Sequence, residues 1–169
     1  MTVRIIFFIF TSLSLACGAR DAVVHTRGGF EPAVWVRTTG TDQALGIAEV
    51  PHKGDIVFTG RTAGGLGEDD GFVSYVSARG ELEWTTGLGS AGVDVLLDVG
   101  VHRNGTIFVG GVSTGDYQDE ANTLFSDGAL SALDPQGLVL WSRLNGRGSI
   151  NQLVVDNDGD LTLSRRPVQ

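Results

Sequence analysis

From Asp21 onward the chain alternates short apolar runs with breaks that carry glycine, asparagine or aspartate. Residues 72–77 and 82–86 are two such runs flanking Ala78-Arg79-Gly80, a pattern that predicts two strands around a turn. The same arrangement surrounds Asp134-Pro135-Gln136-Gly137, where Pro and Gly stand at places that suit a reversal. A second kind of hairpin is predicted where residues 45–50, 95–101 and 153–155 lead into 54–60, 104–111 and 158–164. Consecutive apolar residues such as Ile56-Val57-Phe58 suit strands covered on both faces.

The first kind of hairpin is a repeat. D-G-A-L-S-A-L-D-P-Q-G-L-V-L-W (127–141) recurs as D-G-F-V-S-Y-V-S-A-R-G-E-L-E-W (70–84), and more faintly as D-A-V-V-H-T-R-G-G-F-E-P-A-V-W (21–35). Each copy runs from an aspartate to one of the three tryptophans. The earliest replaces the turn by Arg27-Gly28-Gly29 and carries Pro32 in its second strand, which predicts an edge or weaker hairpin. The longer spacing of the last two copies falls mostly in a polar loop, residues 112–126. Four short strands in about 50 residues, repeated, is the arithmetic of propeller blades. The expected fold is all-β, with β-propeller-like blades of four antiparallel strands and about three blade equivalents. Closed propellers hold roughly 4–8 blades, so one chain leaves the ring incomplete.

These units resemble the bacterial SBBP-type β-propeller repeat over residues 21–164, and the resemblance carries no catalytic residues with it. The stretch 132–141 is also similar to blades of quinoprotein-like propellers, although a second cysteine is missing and the blades are too few to enclose a quinone. The resemblance implies an exported protein. The first 19 residues fit that expectation, with Arg4, an apolar run over 5–10 and small residues after it forming a signal-peptide pattern. Leu13-Ser14-Leu15-Ala16-Cys17 resembles a lipoprotein signal, which would make Cys17 the lipidation site, although Ser14 stands where leucine is favoured. Ordinary cleavage after Ala19 is the alternative. Residues 20–164 are then the propeller repeat domain and 165–169 a C-terminal tail.

A net charge of −8 with no Lys/Arg cluster argues against nucleic acid as a partner. A single cysteine gives no intrachain disulfide framework, so stability must come from packed strands. The three histidines fall in different repeats without metal-ligand spacing, and no nucleophile motif appears. Asp156, Asp158 and Asp160 alternate like the start of a calcium loop, but Leu161 and Pro167 stand where such a loop needs Gly and Glu. A plain hairpin turn is the expectation, with no metal and no cofactor.

Long loops on a rigid scaffold are favoured places for recognition, so Asp116, Tyr117, Asp119 and Glu120 are the candidate ligand-binding residues, suited to a sugar or a basic peptide. The expected function is a non-enzymatic envelope module, lipid-anchored or periplasmic, that binds a protein or glycan or acts as a scaffold. The alternative is a truncated relict or subunit of a propeller enzyme, quinoprotein-like or hydrolytic. Membrane contact would come through a lipid anchor at most. The incomplete ring leaves two expectations, an open stack or a homodimer in which each copy completes the other's terminal blade.

Overall fold

The computed structural model describes residues 20–24, 34–38, 42–63, 69–122 and 125–166, the first two segments as backbone only. The signal-peptide pattern, Cys17 and the last three residues lie outside the described residues. Strands alone make up the regular structure there: β1 (Arg20–Val24), β2 (Val34–Thr38), β3 (Gln43–Glu49), β4 (Ile56–Ala63), β5 (Asp69–Val76), β6 (Leu82–Leu88), β7 (Asp94–Val101), β8 (Ile107–Ser113), β9 (Asp127–Leu133), β10 (Val139–Arg147), β11 (Ser149–Val155) and β12 (Leu161–Arg166). Every hairpin expected from the repeats is present. All pairing between these strands is antiparallel.

The strands assemble as propeller-like blades. Blade I is a meander in the order β3-β4-β5-β6 and blade II repeats it as β7-β8-β9-β10. β11 and β12 form a third, two-stranded sheet, and β1 and β2 a fourth. In the hairpin β1–β2, Trp35 pairs with Val23, whereas Trp84 pairs with Tyr75 and Trp141 with Ala132. The aspartate-to-tryptophan spacing is therefore kept in the first copy while its strand register is not.

A single turn closes four of the hairpins. Gly80, Gly105, Gly137 and Gly159 stand at its fourth position with φ between 84° and 93°. The N–H of each bonds back three residues, to the carbonyls of Ser77, His102, Asp134 and Asp156. Glycine is needed there because a Cβ disfavours that left-handed backbone. Side chains at the first position reinforce the turn: Asp134 Oδ1 accepts the N–H groups of Gln136 and Leu138. Asp156 Oδ1 does the same for Asp158 and Asp160. The aspartate cluster at 156–160 is thus one more copy of this turn.

Blades stack face to face by a repeated rule. β7 packs across β3, β4 and β5, and β11 packs across β7, β8 and β9. Leu96 from β7 enters where Gly71 lacks a side chain, and a Cβ there would come within 2.7 Å of its Cγ. Ile150 from β11 occupies the equivalent place over Gly128, 3.2 Å from a Cβ position. Leu153 fills space above Gly100 and Gly110 in the same way. The main core lies between blades I and II, with Val57, Val73, Leu88, Leu96, Ile107, Val109 and Leu133 fully buried. Each such side chain contributes about 1.5–3 kcal/mol by leaving water. Phe58, Phe72 and Val76 form a smaller cluster, the two rings meeting edge to face at 5.8 Å.

All three inner strands carry a bulge at the same place, between Ala44 and Gly46, Leu96 and Asp98, and Ile150 and Gln152. Opposite it stand Gly60 and Gly111, whose missing Cβ positions are taken by the carbonyl oxygens of Gln43 and Val95. In the third hairpin Arg165 holds that position, pairing with Ile150. Its guanidinium reaches back to blade II, where Nη2 donates to the carbonyls of Gly146 (2.9 Å) and Arg147 (3.3 Å).

Candidate functional site

The loop after β8 is a folded plug. Tyr117, one of the candidate ligand-binding residues, is fully buried. Its hydroxyl lies 3.0 Å from Ser131 Oγ, which in turn lies 2.8 Å from Ser142 Oγ. Burial pushes the Tyr117 phenol well above the ordinary tyrosine value; the Ser131 hydrogen bond opposes that shift and the charge on Asp94 adds to it. The ring packs into the core between the blades. Burying an aromatic body while pairing its hydroxyl is what places it there, and a polar loop sequence gives no warning of it.

The neighbouring carboxylates divide between structural ties and solvent. Asp116 Oδ1 accepts the N–H of Asn122 at 2.8 Å, closing the loop on itself. Gln118 and Asp119 adopt positive φ, 48° and 69°, and Gln118 Nε2 donates to the Gly89 carbonyl. Glu120 forms an ion pair with Arg143 at 2.9 Å. Asp119 is exposed. The four predicted residues therefore share one loop but do not converge on one site: Tyr117 points inward, and Asp116 and Glu120 hold the loop in place.

A different concavity joins the blades. Lys53, Asp55, Tyr75, Ser77, Glu83, Trp84, Pro135 and Gln136 line an open groove of about 450 Å³. One wall comes from blade I, where Tyr75 and Trp84 are cross-strand partners with ring centroids 5.6 Å apart. The other is the outer turn of blade II. Trp84 Nε1 donates to the Pro135 carbonyl at 3.1 Å and Thr86 Oγ1 to the Gly137 carbonyl at 2.7 Å.

Asp55 fixes the floor of this groove. Its Oδ2 accepts from the Tyr75 hydroxyl at 2.6 Å and its Oδ1 from the Ala78 N–H at 2.8 Å. The Tyr75 phenol is held well above its ordinary value by burial, then by the Asp55 hydrogen bond and charge, with Glu83 adding to it. Glu83, Lys53 and Gln136 form an exposed polar rim. Sequence reasoning missed the groove because its walls lie about 50 residues apart and meet only when the blades stack. The aspartate-to-tryptophan repeat was the available signal, since it places Trp84 and the turn at 134–137 on successive blades.

No three His, Cys, Asp or Glu side chains converge as a metal site among the described residues. Comparison with protein-family models finds no match, and no curated protein matches the sequence.

Proposed function

We propose that the protein is an exported β-propeller repeat module of the SBBP type that binds rather than catalyses, held at the cell envelope through lipidated Cys17 or free in the periplasm. The groove beside Trp84 is its ligand surface, and the ligand is a glycan. The observation that carries this reading is the Tyr75–Trp84 wall with its rim of Lys53, Glu83 and Gln136. Aromatic faces pack on the apolar C–H faces of sugar rings, while a polar rim satisfies their hydroxyls. Asp55 is held by Tyr75 and Ala78, which suits a fixed floor.

Titration with neutral and acidic oligosaccharides, followed by tryptophan fluorescence, tests the reading. The expected result is a saturable change that weakens about tenfold in both Glu83→Gln and Gln136→Ala, a loss of about 1.4 kcal/mol in binding. Neither substitution removes a contact that holds the blades together. Absence of any response in the unaltered protein would dismiss the groove as a glycan site. Export is tested separately, by the mass of the N-terminal fragment recovered from cells, where an acylated Cys17 peptide is expected.

A further inference from the structure

β4 and β8 are each paired on both sides, β4 by β3 and β5 and β8 by β7 and β9. β12 holds the equivalent place in the third sheet, yet among the described residues it pairs with β11 alone. The open side of β12 among the described residues has a counterpart on blade II. In blade I, Trp84 and Thr86 are covered by the outer turn of the next blade. Trp141 and Arg143 hold the corresponding places on blade II, as their cross-strand partners show, and no turn reaches Trp141 among the described residues. Leu138 and Leu140 beside it are 67% and 53% exposed. One hairpin pairs with none of these three sheets: β1–β2, a two-stranded sheet of its own.

We propose that β1–β2 of a second copy of this chain completes the third blade, pairing with the outer edge of β12, and that two chains exchange hairpins in this way. Reach decides between copies. The five residue steps from Thr38 to Gln43 span at most about 18 Å. The third sheet stands two sheet spacings behind blade I, about 20 Å, with blade II between. A hairpin tied so closely to β3 cannot reach β12 of its own chain.

In the exchanged pair, the same short connection sets blade I of one chain against β11–β12 of the other. That contact covers Ile47, 37% exposed, and Val154, 63% exposed. Val99 and Leu153, which occupy the places equivalent to Ile47, are already buried against a preceding blade. Unpaired sheet edges invite such pairing, and a reciprocal exchange closes with two-fold symmetry.

The test uses the full chain with Cys17→Ser. Light scattering across a concentration series should give twice the chain mass of 17.8 kDa. Chains carrying Ser164→Cys, mixed and oxidised with chains carrying Ala22→Cys, Val23→Cys or Val24→Cys in turn, should give a disulfide-linked heterodimer for at least one partner. Three positions are scanned because β1–β2 has a register of its own. A monomer at every concentration overturns the proposal, and that measurement needs no cysteine variant to fold. Closure of a doubly substituted chain on itself also overturns it, as does a ladder of masses beyond the dimer.

Discussion

Replacing Tyr117 by phenylalanine removes a hydroxyl from a buried chain of three, while Ser131 keeps its bond to Ser142. The expected loss is about 1 kcal/mol. Tyr117→Ala leaves a cavity in the inter-blade core and should cost about 3–5 kcal/mol. Urea denaturation separates the two. The gap between them measures the packing of a residue whose sequence context suggested a ligand contact. The chain has only two tyrosines, and the phenols of both Tyr75 and Tyr117 are raised in the folded state. Folding thus favours their neutral forms. That part of the stability is complete below the unfolded tyrosine value of about 10 and is lost as pH climbs past it. An alkaline titration should show phenolate absorbance appearing together with unfolding, and a native protein ionising both tyrosines near pH 10 would contradict the burial.

Glycines sort at this scale as well. Gly111→Ala drives a methyl group into the Val95 carbonyl, and the backbone must move. A loss of about 1–3 kcal/mol is expected, whereas Gly87→Ala, with open space at its Cβ position, should stay within about 0.5 kcal/mol of the parent.

Hairpins were the legible level. Runs such as 72–77 and 82–86 and turns such as Ala78-Arg79-Gly80 predicted the strands directly, because alternation and turn chemistry are local. The bulges opposite Gly60 and Gly111 were not legible, since a bulge depends on which residues face each other across strands. Nor was the second role of Gly71 and Gly128. In the repeat they look like turn or spacer letters, but they make room for Leu96 and Ile150 of the following sheet. The groove was hidden for the same reason. Its element-scale signature is the outer turn of blade II bound to β6. Trp84→Phe and Thr86→Val should each cost about 0.5–1.5 kcal/mol by deleting one bond to that turn. A double-mutant cycle showing no coupling between them would mean the turn docks without holding the blades.

For the molecule as a whole, stability should be graded along the stack. Blade II has a neighbour on each face, while β12 has every residue at least partly exposed. In repeat architectures each unit leans on its neighbours, so the unit with two is the last to open. Native-state hydrogen exchange should find the slowest amides in β8 and β9. Protection in β12 should rise with protein concentration, because an exchanged hairpin stabilises it by mass action.

The packing rule between sheets also has a direction in time. β7 rests on β3, β4 and β5, and β11 rests on β7, β8 and β9, so every docking surface is made of residues synthesised earlier than the strand that uses it. A chain delivered N-terminus first can therefore seat each inner strand as soon as it emerges, without waiting for sequence still to come. The turn at 134–137, closing over Trp84 some fifty residues after that tryptophan was made, then works as a late fastener on a pair of blades already in place.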